Sequence, residues 1–162
     1  MASKPTKTIV EKLLDQKKIP HNSYEYGDGS AEFMDGQSVA DAIGKPHEQV
    51  FKTLVCCGPK GNCVFVVPVE KELDLKKAAI VSGQKYVEMI NVKDILKTTG
   101  YIKGGCSPIG MKKLFPTYID LSANNYETII FSAGKIGKQV EMSINDLLPL
   151  INGKLAEITK EG

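Results

Sequence analysis

VFKTLVCCGPKGNCVFVVPV, residues 50–69, is the stretch on which the fold turns. Segments 50–57 and 63–69 are apolar and β-branched, and GPKGN between them is a turn signal, so the pair reads as a β-hairpin. One residue breaks the apolar run. By strand alternation Lys52 shares a face with Leu54 and Cys56, whereas Phe51, Thr53 and Val55 point the other way. A lysine on an apolar strand face is costly unless its ammonium reaches water, an anion or a partner. It either snorkels at the strand's end or stands at a pocket mouth, set to meet a phosphate or a carbonyl oxygen.

Upstream of the hairpin, Ile9, Val10, Leu13 and Leu14 follow helical spacing, with Ser3 or Thr6 as cap and an end near Lys18, ahead of Pro20. Tyr24 and Tyr26 alternate with polar residues as in a short strand, GDGSAEFMDG (27–36) reads as a loop, and Ser38 caps a short helix ending at Gly44. Downstream, 73–82 is a helix closed by Gly83, with Leu75, Ala78 and Ala79 as its packing face, and 92–98 is a helix closed by Gly100. Strands are expected at 117–121, 128–132 and 138–142, with AGKIG as the turn between the last two. Ser143 then caps a helix through Leu148, and 155–159 is a final strand. Strands and short helices interleave without the strict alternation of a doubly wound sheet. The reading is a single α/β domain over 1–162, mixed and α+β-like, around a mixed sheet.

Composition narrows the function classes. Apolar residues make up 42% and charged residues 25%, ordinary globular usage. No apolar run approaches the ~18 residues of a membrane span and no secretory leader opens the chain, so a cytoplasmic protein is expected. The four cysteines, Cys56, Cys57, Cys63 and Cys106, read as free thiols. The net charge of +2 is too small to argue nucleic-acid binding by itself; lysines recur at 76–77, 103, 112–113, 135 and 138, a distribution that allows a phosphate-backbone surface or simply solvated faces.

Familiar catalytic machinery is missing from the sequence. The two histidines, His21 and His47, lie in loops or at element edges, and no G-x-S-x-G elbow presents a serine. Metal-ligand spacings, a P-loop and G-x-G-x-x-G are also lacking, so neither metal nor cofactor is expected. Besides Lys52, the unusual feature is GGCSPIG, residues 104–110: paired glycines let the backbone approach a ligand, and their N–H groups can form an oxyanion nest, although an ordinary tight connection reads the same way.

In order and spacing, six segments together resemble the YbaK/EbsC family, the editing domain associated with bacterial prolyl-tRNA synthetase. They are KKIP (17–20) followed by Tyr26, FKTL (51–54), LDLKKAA (73–79), KYVEM (85–89), TGYIKGGCSPIG (99–110) with the trailing Lys112 and Lys113, and SAGKIG (132–137). The resemblance spans nearly the whole chain. It implies a barrel-like mixed central sheet flanked by short helices, and a deacylase that edits mischarged tRNA in trans. Cys-tRNA(Pro) is the leading substrate, with Cys-tRNA(Cys) beside it; Ala-tRNA(Pro), another misacylated tRNA, or a non-catalytic tRNA- or synthetase-binding module are the alternatives. The implied partners are the 3′ CCA end of aminoacyl-tRNA and, transiently, prolyl-tRNA synthetase, with no membrane and no metal.

By the same resemblance Lys52 matches the family's functional lysine and Tyr26 its pocket tyrosine, with Thr53 lining the site. Gly104, Gly105 and Pro108, with Cys106 and Ser107 between them, match the loop around the aminoacyl group; Ser132 and Gly134 belong to a second glycine turn. Gln139 stands where relatives often carry an acid, which argues against a general base there. Cys106 reads as a small apolar filler rather than a nucleophile, because no base is identifiable beside it. An aminoacyl ester is activated, so positioning and electrostatics suffice, and a cysteine substrate could attack its own carbonyl through its thiol.

Overall fold

Residues 50–69 form the hairpin that the sequence predicts, in a computed structural model that describes residues 7–26 and 35–161. In chain order the elements are α1 (Ile9–Gln16), β1 (His21–Glu25), α2 (Gly36–Ile43), β2 (Phe51–Gly58), β3 (Gly61–Pro68), α3 (Leu75–Ser82) and β4 (Glu88–Met89). They continue with α4 (Val92–Thr99), β5 (Thr117–Asp120), a 3-10 turn (Leu121–Asn125), β6 (Thr128–Ser132), β7 (Lys138–Ser143), α5 (Ile144–Ile151) and β8 (Lys154–Ala156).

The strands form two sheets. The larger has the order β4-β2-β3-β5-β8, antiparallel around β2 and parallel from β3 through β5 to β8. The smaller is the antiparallel set β1-β7-β6. They meet at one parallel bridge, Val50 with Ile130, where the Ile130 N–H donates to the Gln49 carbonyl at 3.1 Å. The mixed α/β class expected from the sequence is what forms. Its barrel-like centre is two sheets joined at that bridge, not a closed barrel.

Alternation along the strands builds the core between the sheets. Phe51, Val55, Val64, Val66 and Ile119 of the large sheet meet Ile129, Phe131, Val140 and Met142 of the small one, with Val10 and Leu14 of α1 and Leu147 and Ile151 of α5. The opposite face of the large sheet buries Cys56, Cys63, Phe65 and Val67 against Ala78 and Ala79 of α3. A smaller cluster, Ala40, Val50, Val69 and Ile130, seats α2 beside the bridge. All four cysteines are free.

Local differences from the sequence reading have physical causes. Ser3 and Thr6 lie outside the described residues; α1 is capped by Thr8, which forms a reciprocal capping box with Glu11. Asp35, not Ser38, caps α2, because its carboxylate reaches both the N–H and the hydroxyl of Ser38. The remainder of the expected loop, 27–34, also lies outside the described residues. Helix α5 runs past Pro149 to Ile151, since the burial of Leu147 and Ile151 offsets the missing N–H of the proline. Short β4 carries no alternation to detect and forms by docking on Cys56 and Cys57.

Candidate active site

Strand β2 has β3 along one side for its whole length, but β4 covers its other side only at Cys56 and Cys57. The Val50 carbonyl accepts from Val69 on the β3 side, and the Val55 carbonyl accepts from Ile90 on the β4 side. Main-chain groups therefore alternate so that those of Thr53 face the uncovered stretch of edge between the Val50–Ile130 bridge and β4. Against that edge lies a cavity of about 310 Å³, at the small end of the ~300–1,000 Å³ usual for ligand pockets. An unpaired strand edge beside a cavity supplies donors and acceptors without any side chain.

Lys52 and Thr53 both line this cavity, although alternation puts their side chains on opposite faces of the sheet. The edge reconciles the two, because a cavity abutting it is reachable from either face. Half-burial pulls the Lys52 ammonium below its ordinary value, an effect that the Glu72 carboxylate partly offsets. The Thr53 hydroxyl is buried and has no hydrogen-bond partner among the described residues. Such a group costs ~1–3 kcal/mol, so its presence at the cavity argues for a partner that arrives with the substrate.

The small sheet supplies the facing wall. Ser132 and Gln139 are cross-strand partners on β6 and β7 and both line the cavity. Tyr26 follows β1, its N–H donating to the Gly137 carbonyl at 3.0 Å, and also lines it. Next to it on the same strand face, the Tyr24 hydroxyl donates to Glu141, which also accepts from the Thr128 hydroxyl and, at 3.4 Å, from Gln49. Burial would raise the Glu141 carboxyl, but the Thr128 and Tyr24 hydroxyls and Lys45 hold it below the usual range. Glu11 is likewise held low: burial opposes ionisation, but the Thr8 N–H, the Ser23 hydroxyl and Lys138 prevail. Lys138, buried at the start of β7, pairs with Glu11 at 3.4 Å and Glu25 at 3.5 Å, fixing the strand that carries Gln139.

Both carboxyls have folded values below the unfolded 4.5. Their stabilisation is present above that pH and is lost as pH falls through the folded values. The melting temperature is expected to decline below about pH 4.5, and Glu141→Gln to flatten that decline in thermal melts between pH 7 and pH 3.

The two glycine turns pack on each other. A Cβ on Gly105 would sit 3.2 Å from the Ile136 nitrogen, and one on Gly134, at φ +93°, would sit 3.0 Å from the Tyr101 ring. Tyr101 is the spacer that the sequence reading did not single out; its hydroxyl donates to the Ile109 carbonyl at 2.6 Å, and burial pushes it up to about 12. Only Gly104 and Cys106 of the first turn line the cavity. The Gly105 N–H is spent on the Ile102 carbonyl and the Gly134 N–H on the Ser132 hydroxyl, so neither serves the expected nest. That leaves the amides of Gly104 and Cys106, which have no partner among the described residues. Gly105, Ser107 and Pro108 are buried behind the wall, where Ser107 accepts from the Ile109 N–H.

Burial pushes the Cys106 thiol up to about 11, and neither histidine lies on the cavity wall: His21 contacts the Ile19 carbonyl and His47 pairs with Asp41. The rest of the lining, including Val39, Val69, Met89, Val92, Ile95 and Lys103, escaped the sequence reading. Its members come from separate segments, and no local pattern joins them. Among the described residues no group of three His, Cys, Asp or Glu side chains is placed to hold a metal, and no helix is long and apolar enough to cross a membrane.

Comparison with known proteins adds independent observations. A family model described as an aminoacyl-tRNA editing domain matches residues 31–150. EbsC of Enterococcus faecalis, provisionally named a Cys-tRNA(Pro)/Cys-tRNA(Cys) deacylase, is 49% identical over 162 residues, with 98% of each chain covered. A proline–tRNA ligase of Fervidobacterium nodosum is 33% identical over 76 residues, 47% of this chain and 13% of the ligase. A crystal structure described provisionally as a trans-editing enzyme for prolyl tRNA synthetase has the same fold, with a TM-score of 0.82 at 24% identity over 94% of this chain and 95% of that one.

Proposed function

This chain belongs to the aminoacyl-tRNA editing domain family, and from that premise we propose that it deacylates mischarged tRNA in trans, with Cys-tRNA(Pro), and Cys-tRNA(Cys) beside it, as substrate. The observation that carries this reading is the cavity wall: a half-buried cation, Lys52, beside a hydroxyl, Thr53, that is unpartnered among the described residues, with no nucleophile and base in contact among them. Such a wall positions and polarises an ester but attacks nothing.

The attack comes from the substrate. Its cysteine sulfur adds to its own carbonyl carbon, the ester C–O bond breaks with its electron pair going to the ribose oxygen, and that oxygen takes up the thiol proton. The product is a four-membered thiolactone that water opens to free cysteine. Lys52 and the amides of Gly104 and Cys106 stabilise the oxygen on which charge develops, and Tyr26, Thr53, Ser132 and Gln139 orient the aminoacyl group. Dependence on the substrate thiol also solves a selectivity problem, since a methylene-scale difference in pocket fit is worth only ~1–3 kcal/mol.

The test is release of labelled amino acid from Cys-, Ala- and Pro-tRNA(Pro). Rapid loss of cysteine with alanine and proline retained is expected, unchanged in Cys106→Ala. Rapid alanine release would shift the substrate to Ala-tRNA(Pro), and no release at all would leave a binding module. Similarity to part of a proline–tRNA ligase supports transient association with prolyl-tRNA synthetase. Added synthetase should then raise the preference for tRNA(Pro) over competing tRNAs, and equal rates with and without it would sink that association.

A further inference from the structure

We infer that the face formed by α4 and the following loop to residue 116 is a track for the single-stranded 3′ end of the tRNA, receiving the phosphates upstream of the terminal adenosine; the inference rests on the proposed function. Between residues 91 and 116 the chain carries five lysines and one acid, Asp94, a net +4 against +2 for the whole chain. Another segment that borders the cavity, through Gly36, Val39 and Val50, has the other sign, with three acids and one lysine between residues 35 and 50. A cavity of about 310 Å³ has room for the aminoacyl group and its terminal nucleoside but not for the strand that leads to them. The polyanion must leave across a rim, and charge complementarity selects the α4 side.

The basic face is continuous with the cavity. Val92 and Ile95 of α4 and Lys103 of the loop line the cavity itself. The stem of Lys112 lies on Gly100, 3.2 Å from where a Cβ would stand, and its ammonium donates to the Lys97 carbonyl at 3.4 Å at the end of α4, where the exposed Lys97 ammonium pairs with Asp94 at 3.0 Å. Lys113 follows immediately. On the same segment Val92, Leu96 and Ile102 are 55%, 54% and 49% exposed, apolar surface of the kind on which nucleoside faces rest.

The test is binding of uncharged tRNA(Pro) as a function of salt, read by fluorescence anisotropy, with intact tRNA and with tRNA trimmed of its CCA end. Wild type is compared with a triple variant, Lys97→Gln, Lys112→Gln and Lys113→Gln, and with its triple arginine counterpart. Each single-strand phosphate that a lysine no longer neutralises lowers the log–log salt slope by ~0.7, so the glutamine variant should fall by about one to two units on intact tRNA. It should fall no further on trimming, and the arginine variant should behave as wild type. An unchanged slope in the glutamine variant, or an equal fall on trimmed tRNA, overturns the track. A fall seen only with synthetase present also overturns it and assigns the face to a protein. Hydrolysis of the cysteinyl ester of adenosine, run alongside, separates the two readings: failure there with the slope difference intact removes the proposed reaction and leaves the track standing.

Discussion

Lys52→Ala is expected to lower kcat/KM for Cys-tRNA(Pro) by ~100- to 1,000-fold, the usual effect of removing one preorganised stabiliser of a developing oxyanion. The ammonium is half-buried at the edge of β2 and has no side-chain hydrogen bond or ion pair among the described residues. The Glu72 carboxylate offsets its field only in part, and in a half-buried site the remainder acts at closer to full strength than it would in water. Lys52→Met keeps the aliphatic stem and should be as inactive as the alanine variant, with an unchanged melting temperature within ~1 kcal/mol of stability. Wild-type activity should also fall as pH rises through the lowered lysine value, because the cation is lost there. Steady-state rates on Cys-tRNA(Pro) across that range check both statements. A Lys52→Met enzyme of normal rate would transfer the electrostatic role to the loop amides.

Thr53→Val is expected to move stability and activity in opposite directions. In the free protein the Thr53 hydroxyl is buried without a partner, which costs ~1–3 kcal/mol, and valine has nearly the same shape without that cost. The variant should melt at a higher temperature than wild type. If the hydroxyl bonds the substrate, its removal should cost a further ~10- to 100-fold in kcat/KM, the worth of one hydrogen bond to a charged or developing-charge group. Thr53→Ser separates the contributions, since it keeps the hydroxyl and gives up only the methyl. Thermal melts and deacylation rates on the three proteins are decisive: a Thr53→Val enzyme that is both less stable and fully active would mean that the hydroxyl has a partner in solution and none in catalysis.

Much of the fold was legible along the chain because it rests on local physics. The hairpin at 50–69 follows from two β-branched runs around a turn, and the ends of α2, α3 and α4 follow from Gly44, Gly83 and Gly100, each of which adopts the left-handed backbone that closes a helix. The candidate site was legible only in part. Lys52, Tyr26, Thr53, Gly104, Cys106, Ser132 and Gln139 share one cavity, whereas Gly105, Ser107 and Pro108 are packed behind its wall. A glycine loop announces close backbone approach but not which amide is left free. The Gly105 and Gly134 N–H groups turn out to be occupied by Ile102 and Ser132.

The chain by itself therefore determined the order and kind of most elements and the residue types available for chemistry, all properties of residues and their near neighbours. Tertiary structure alone decided that β4 covers β2 at Cys56 and Cys57 and stops there. That bare edge is where Lys52 and Thr53 come to one cavity despite facing opposite sides of the sheet. Alternation is set by the pleat of a single strand, but the exposure of an edge depends on what a segment more than thirty residues away does beside it, and no local pattern encodes that.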